Sequence, residues 1–453
     1  MKKILIIGAG SVIFTQGLVV DLINFLQGER AQLALCDIDE EILKTVGALV
    51  SKMIEAKQAN ITLRLDTDRK NLLPGCDYVV STIGVGGRRA WEQDVFIPRK
   101  YGIYQPVGDT SMPGGISRAM RMVPAMMDIL NDVEIYAPSA QVFNYSNPMA
   151  VLTRAFAKAS KVPVAGLCHG VPHTESHIAK VLGLDRNKIT STTVGINHLS
   201  FMYDIRHDGQ DLKPEMHRHY QKCKEQGFDR ALSGRMWDQT RGKPVTVEQE
   251  LFSWSVFDRL DAFPAPGDRH ICEFFTEEFP NGDYFGTKLG YLGAFSFERC
   301  IEMGDQSYDE TRRLAFSEEN LPQNFFDRFS GEHEQLMDII KSMEHDEQRV
   351  FSANLPNLGV VPNLPDYAVL EMPAVASACG FRQIHCPDFP QQLAEIVRRF
   401  LDIIEVTADA ALTGDRKLFE QAILMGGYIS DKAVVASMVD EMIAAQKQYL
   451  PWA

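Results

Sequence analysis

The chain has 453 residues, more than one hydrophobic core usually serves, so two closely packed domains are expected. Hydrophobic residues make up 45% of the sequence and charged residues 23%, as in ordinary soluble proteins. The formal net charge is −14 and no Lys/Arg-rich block offsets it. We therefore expect no nucleic-acid partner, because binding a phosphate backbone requires clustered positive charge.

No segment predicts export or membrane insertion. The first apolar run, Ile4–Ile7, stops at Gly8 and is too short for a signal peptide, and no later apolar stretch could span a bilayer. The eight cysteines include no CxxC pair, so neither a disulfide framework nor a zinc knuckle is indicated. We expect a reduced, cytoplasmic protein without membrane contacts.

Strand and helix patterns alternate along the first part of the chain, which predicts the α/β class with a doubly wound parallel sheet. Apolar strand patterns lie at 3–7, 31–35, 78–83, 141–144 and 162–167. Beyond about residue 189 the alternation stops. We expect a Rossmann NAD-binding domain at 1–190 and a C-terminal α+β domain at 191–453 for substrate, metal and oligomer contacts. This is a lactate/malate dehydrogenase-like architecture.

A glycine turn follows the first strand. Gly8, Gly10 and Ser11 are small enough to let the backbone approach a pyrophosphate at a helix N-terminus. Ile13 replaces the third glycine of the usual motif, but the strand before the turn and the helix after it support nucleotide binding. Asp37, at the end of the second strand, can bind ribose hydroxyls and disfavours a 2′-phosphate, so NAD+ is favoured over NADP+. The alternative is a plain turn.

Two more segments are candidates for cofactor or anion contacts. Gly84 opens a glycine-rich stretch after the third strand, where a loop can cover a dinucleotide or simply turn, and Asn144 ends the fourth strand. Arg118 and Arg121 are three residues apart on a predicted helix and face one side together. They either hold an anionic substrate group or pair with surface acids.

Polar residues at later strand ends predict a reactive site. The Cys168 thiolate and the His198 imidazole come from separate strands and can bind a divalent metal together, although core packing explains either residue equally well. Asp268, Arg269 and His270 belong to a polar island that suits either a substrate site or an exposed loop. The irregular stretch around Asp109 is polar enough to line a cleft.

Taken together, these segments resemble glycoside hydrolase family 4, whose members depend on NAD and a divalent metal. The similarity covers nearly the whole chain and is far more specific than any single motif. It rests on residues 8–11, 36–39, 108–110, 113–115, 144–149, 168–171 and 195–198.

The resemblance implies that Cys168 and His198 hold the metal, usually Mn2+, and that Asn147 contacts substrate. His169, directly after the cysteine, is typical of members acting on unphosphorylated α-glycosides: α-glucosidases, α-galactosidases or α-uronidases. Arg269 can pair with a substrate carboxylate, which gives a slight preference for uronides. Related enzymes are often oligomers, so a homodimer or homotetramer is expected.

The resemblance also implies a mechanism: oxidation at C3 of the sugar by NAD+, deprotonation at C2, elimination of the aglycone, addition of water and return of the hydride. Phosphoglycosidases of this family use a tyrosine as the C2 base. Near Asp268 the sequence offers Phe274 and Phe275 instead, so Asp268 is the predicted base, with proton donation by His169 or Asp109. The alternatives are an NAD-dependent hydroxy-acid or polyol dehydrogenase and a nucleotide-sensing module without chemistry.

Overall fold

The structure is a computed structural model that describes residues 2–26, 28–226, 235–238, 243–246, 250–291, 293–328 and 335–453. The first six strands are β1 (Lys2–Ile7), β2 (Ala31–Cys36), β3 (Ile61–Asp66), β4 (Tyr78–Ser81), β5 (Gln141–Asn144) and β6 (Val164–Gly166). The helices between and after them are α1 (Val12–Leu26), α2 (Glu40–Ala56), α3 (Gly87–Lys100), α4 (Pro113–Tyr136), α5 (Met149–Ala159) and α6 (Gly170–Leu182).

These six strands pair in parallel in the order β3–β2–β1–β4–β5–β6, which is the Rossmann arrangement. The predicted α/β class and doubly wound sheet are therefore confirmed. Strand β3 was not predicted. It lies at the sheet edge and buries no residue fully, so it lacks the continuous apolar run of the central strands.

The remaining strands are β7 (Ile189–Ile196), β8 (Leu199–His207), β9 (Gln210–Asp211), β10 (Arg235–Asp238), β11 (Lys243–Thr246), β12 (Phe263–Ala265), β13 (Asp283–Tyr284), β14 (Thr287–Leu289), β15 (Gly293–Ala294), β16 (Arg349–Pro356), β17 (Val369–Ser377) and β18 (Gly380–Gln383). The remaining helices are α7 (Lys213–Gln226), α8 (Leu251–Leu260), α9 (Asp268–Ile271), α10 (Phe297–Phe316), α11 (Leu336–His345), α12 (Gln391–Thr413), α13 (Arg416–Met425) and α14 (Lys432–Gln446).

One continuous sheet joins the two parts of the chain. From β6 it continues through β16, β17, β7, β8 and β12, all antiparallel to their neighbours. The two joints are narrow, because β16 meets β6 only at Asn354 and Gly166, and β17 meets β7 only at Glu371 and Gly195. Gly166 and Gly195 lie two and three residues before Cys168 and His198, so the junction is close in sequence to the predicted metal ligands.

Helix packing ties the C-terminal part to the Rossmann sheet. Helix α12 packs against α4 and α5, and α14 packs against α3. Apolar residues from both parts form one large core. Among the helices that the structure describes, none combines the length and the apolar character needed to cross a bilayer.

Candidate functional site

The glycine turn after β1 has the predicted geometry. Gly8 has a φ of +90°, and a Cβ there would lie 2.7 Å from the Ile83 nitrogen, so the close approach of β1 and β4 requires glycine. The Gly10 amide donates to Asp37 Oδ2 at 2.7 Å, and the Ser11 amide donates to the Gly8 carbonyl at 3.0 Å. Gly8, Gly10, Ser11 and Asp37 thus meet at the N-terminus of α1, where backbone amides favour an anion.

The loops after β4 and β5 lie beside this turn. The Ser146 hydroxyl donates to the Ile83 carbonyl at 2.9 Å and so joins them. Asn144 is fully buried, and its amide exchanges hydrogen bonds with the Ser146 backbone at 3.0 and 3.1 Å. Asn144 therefore shapes the loop. Gly84 is open on its Cβ side, where the nearest atom is Arg118 Nη2 at 3.8 Å.

The two arginines Arg118 and Arg121 on α4 differ in burial and in their hydrogen-bond partners. Arg121 is 1% exposed and forms a bidentate pair with the fully buried Asp94, at 2.9 and 2.6 Å, while its Nε donates to the Val85 carbonyl at 3.0 Å. This pair holds the glycine-rich loop and leaves Arg121 no role with substrate. Arg118 is half-buried, and its Nε donates to the Asn147 carbonyl at 3.1 Å.

Three side chains form a candidate metal centre. Ligand atoms of Asp109, His198 and His270 all lie within 4.8 Å of one another. The centroids of the two imidazole rings are 3.9 Å apart. Two imidazoles and one carboxylate are ligands that Mn2+ and other divalent metals accept, and three protein ligands leave coordination positions for substrate oxygens.

A hydroxyl links two members of this centre. Thr110 Oγ1 lies 2.8 Å from His198 Nδ1 and donates to Asp109 Oδ1 at 2.9 Å. With the Thr110 proton committed to Asp109, Nδ1 of His198 must be the protonated nitrogen, so the lone pair is on Nε2. Asn147 Nδ2 donates to Asp109 Oδ2 at 3.0 Å from the other side.

The histidines have properties that suit a metal. His198 is the second residue of the two-residue turn between β7 and β8, with a φ of +68°, a costly conformation typical of functional positions. Burial lowers the pKa of His198 to about 4 and that of His270 well below its usual value, so both rings are neutral, as metal ligation requires. His270 Nδ1 is buried and has no hydrogen-bond partner among the described residues.

Cys168 lies outside this group of three, so the predicted ligand pair is found only in part. Its sulfur is half-buried and accepts a hydrogen bond from the Gly170 amide at 3.3 Å at the start of α6. A Cβ on Gly170 would lie 2.5 Å from Pro266 Cβ. Glycine therefore lets Cys168 and His169 approach the segment that carries His270.

Asp268 does not fit the predicted role of C2 base. Its buried carboxylate accepts hydrogen bonds from the Phe252 and Ser253 amides at 2.7 Å each, the Ser253 hydroxyl at 2.6 Å and the Tyr284 hydroxyl at 2.5 Å. A carboxylate has about four lone-pair positions, and these donors fill them. Burial raises the pKa of Asp268. The residue closes the N-terminus of α8, a structural function.

The predicted substrate contacts fall into two hydrogen-bonded groups. Arg118, Asn147 and Asp109 are linked by the hydrogen bonds described above. Arg269 is half-buried, and its Nη2 donates to the Cys300 sulfur on α10 at 3.2 Å, while its Nε is buried without a partner among the described residues. His169 is exposed at the start of α6.

Sequence reasoning missed two buried acids. Glu273 is 1% exposed and accepts hydrogen bonds from the Val107 and Gly108 amides, and burial raises its pKa to about 8. Glu371 is 2% exposed and accepts from the Ser200 hydroxyl at 2.9 Å, and burial raises its pKa to about 7. Each is an acid within an apolar stretch, a signal that sequence inspection can find.

Comparisons with known proteins identify the family of the chain. The model of "Family 4 glycosyl hydrolase" matches residues 3–184, and that of its C-terminal domain matches residues 193–426. An alpha-galactosidase of Rhizobium meliloti is 29% identical, covering 99% of this chain and 89% of the relative. An alpha-galacturonidase of Bacillus subtilis is 30% identical, covering 97% and 96%.

The solved structures show the same fold. A 6-phospho-beta glucosidase from Thermotoga maritima, solved with manganese, NAD+ and glucose-6-phosphate, matches with a TM-score of 0.78 at 20% identity over 99% of each chain. The predicted lactate/malate dehydrogenase-like architecture is confirmed, since a malate dehydrogenase from Cryptosporidium parvum matches with a TM-score of 0.51. The family models span most of the chain, and the chain belongs to glycoside hydrolase family 4, as its sequence motifs predict.

Proposed function

We propose that this family 4 enzyme hydrolyses unphosphorylated α-glycosides, either hexosides or hexuronides, with NAD+ and Mn2+ as cofactors. The observation that carries the proposal is the group of Asp109, His198 and His270, linked through Asn147 and Arg118 to the loops beside the glycine turn. An ordinary hydroxy-acid dehydrogenase needs no such metal group, so the dehydrogenase alternative is not favoured.

The groups at the two ends of the site indicate which residues would bind each cofactor. Gly8, Gly10 and Ser11 would hold the pyrophosphate of NAD+, and Asp37 the adenosine ribose. Asp109, His198 and His270 would hold Mn2+, with Cys168 as a further ligand. When bound, NAD+ supplies a hydride acceptor for C3 of the sugar, and the metal supplies a Lewis acid for the C2 and C3 oxygens.

The chain's own residues would orient the sugar and move protons. Asn147 is held by Asp109 and Arg118 and would present its amide to the sugar hydroxyls. His169, exposed at the start of α6, would donate a proton to the departing aglycone oxygen, because Asp109 as a metal ligand would be deprotonated. Once a base has taken the C2 proton the aglycone can leave, and addition of water with return of the hydride to C3 completes a hydrolysis without net oxidation.

The sugar class is argued from two features. His169 occupies the position that distinguishes enzymes for unphosphorylated α-glycosides, and the relatives include an alpha-galactosidase and an alpha-galacturonidase. The unpartnered Nε of Arg269 favours a substrate carboxylate, since guanidinium and carboxylate form strong charge-assisted hydrogen bonds. Uronides are therefore our first choice of substrate.

We also propose a division into domains at 1–190 and 191–453, assembly as a homodimer or homotetramer, and action in the cytoplasm. All eight cysteines are free thiols, which suits a reducing compartment. Light scattering on the purified protein would measure the assembly.

The test of the proposed function is aglycone release from chromogenic α-glucosides, α-galactosides and α-uronides, with and without NAD+, Mn2+ and dithiothreitol. We expect release that requires both cofactors and leaves no net NADH, fastest with a uronide. Steady NADH formation from a polyol or hydroxy acid, with no aglycone release from any glycoside, would overturn the proposal in favour of a dehydrogenase.

A further inference from the structure

One buried carboxylate connects two segments that carry candidate metal ligands. Glu273 follows His270 by three residues, and its Oε1 accepts hydrogen bonds from the Val107 and Gly108 amides at 2.7 Å each. These amides belong to the loop that leads directly into Asp109. The Glu273 side chain is 1% exposed, so water does not compete for these bonds.

The loop before Asp109 depends on such contacts because it has no secondary structure of its own. It runs between the end of α3 at Lys100 and the start of α4 at Pro113. Besides its bond to Glu273, Val107 is held through its carbonyl, which accepts a hydrogen bond from Trp91 Nε1 at 2.7 Å. Glu273 thus supplies the contact that ties this loop to the His270 segment.

The His270 segment is equally short of regular structure. Helix α9 has only four residues, Asp268–Ile271, and the Glu273 amide continues its turn by donating to the His270 carbonyl at 3.1 Å. The second oxygen of Glu273, Oε2, is buried and has no partner among the described residues. A buried acid whose Oε1 is held by two backbone donors is a costly arrangement, which a purely structural position does not require.

We propose that Glu273 is a positioning residue for the metal centre, holding the loop of Asp109 and the segment of His270 at the separation that one divalent ion requires. The inference rests on the metal assignment made under the proposed function. Residues that orient metal ligands commonly change metal affinity by about 10- to 100-fold when they are replaced.

Three substitutions of Glu273 distinguish the effect of its hydrogen bonds from the effect of its charge. Glu273→Gln keeps a carbonyl oxygen that can accept from both amides, whereas Glu273→Met fills similar space and accepts from neither. Glu273→Asp keeps the carboxylate and withdraws it by one methylene. Glu420→Met is the control for loss of a buried acid, because Glu420 is buried and pairs with Arg416 within α13, a helix that carries no candidate ligand.

The readout is Mn2+ affinity of the whole protein, measured from the EPR signal of free Mn2+ without substrate. We expect dissociation constants about 10- to 100-fold weaker for Glu273→Met, about 10-fold weaker for Glu273→Asp, and within about threefold of the parent for Glu273→Gln and Glu420→Met. If Glu273→Met does not fold, the contrast between the Gln and Asp variants decides.

Three results would contradict different parts of the proposal. Failure of the parent protein to bind Mn2+ would overturn the proposed metal centre itself. Binding by the parent, with equal affinity in the Gln, Asp and Met variants, would overturn only the positioning role of Glu273. An equal loss in the Gln and Met variants would also overturn it, since the hydrogen-bond acceptor would then be irrelevant.

Discussion

The two ends of the candidate site are built differently. At the cofactor end, Gly8, Gly10 and Asp37 come from adjacent parallel strands, and backbone amides make most of the contacts. At the metal end, Asp109 and His198 come from two loops and His270 from the short helix α9, far apart in the chain, and side chains make the contacts. Backbone geometry survives most side-chain exchanges, whereas a side-chain cluster fails when one member is removed. The two ends should therefore respond to mutation independently.

The largest expected effect is at the metal end. Replacing His198 with Ala removes one of three candidate ligands, so metal-dependent glycoside cleavage should fall by about 1000-fold or more, equivalent to several kcal/mol of transition-state stabilisation. NAD+ affinity, measured by calorimetry on the same protein, should stay within about threefold, because the glycine turn is untouched.

The matched change at the other end is Asp37→Ala. Loss of hydrogen bonds to a charged group costs about 1.5–3 kcal/mol, so NAD+ affinity should weaken by about 10- to 100-fold while Mn2+ affinity is retained. If the His198 and Asp37 variants each lost affinity for both NAD+ and Mn2+, the two ends would not be independent and would form one cooperative site. Full activity of the His198 variant would remove His198 from the metal centre.

A second test concerns the buried ion pair of Arg121 and Asp94, which supports the glycine-rich loop at the cofactor end. Replacing Arg121 with Met leaves Asp94 as an unpaired buried charge, and breaking such a pair costs about 3–5 kcal/mol of unfolding free energy. The Val85 carbonyl also loses its donor, so the glycine-rich loop should bind NAD+ less tightly. Urea unfolding measures the first effect and calorimetry the second.

Arg118→Met is the control for this change, three residues away on the same helix. Arg118 is half-buried and, among the described residues, donates one hydrogen bond, to the Asn147 carbonyl, so its loss should cost about 1 kcal/mol. An Arg121 variant as stable as the Arg118 variant would show that the buried pair does not support the loop.

The difference between the two ends explains what the sequence could predict. Gly8, Gly10, Ser11 and Asp37 follow a strand–turn–helix pattern whose spacing is set by local geometry, and the structure brings them together as expected. The parallel sheet was predictable for the same reason, since its buried strands are continuous apolar runs. The edge strand β3 lacks such a run and was missed.

The metal end depends on contacts that no local pattern encodes. His198 was predicted as a ligand, but His270 was seen only as part of a polar island, because tertiary packing and no local pattern brings it beside Asp109 and His198. Asp268 was predicted as a base because it is an acid in that island. The hydroxyl of Tyr284, which lies 16 residues further along the chain, donates a hydrogen bond to Asp268, so Asp268 has a structural role.

The smallest expected effect tests the hydroxyl that links two candidate ligands. Replacing Thr110 with Val keeps its shape but removes the donor to Asp109 and the acceptor for His198 Nδ1. His198 can then adopt the other tautomer, so Mn2+ affinity should weaken by about 10-fold, the lower range for residues that orient metal ligands. Thr110→Ser keeps the hydroxyl and should bind Mn2+ as the parent does. Equal Mn2+ affinities in the Val and Ser variants would mean that packing alone holds the imidazole rings. The metal end would then tolerate the loss of a side-chain hydrogen bond, as we expect of the cofactor end.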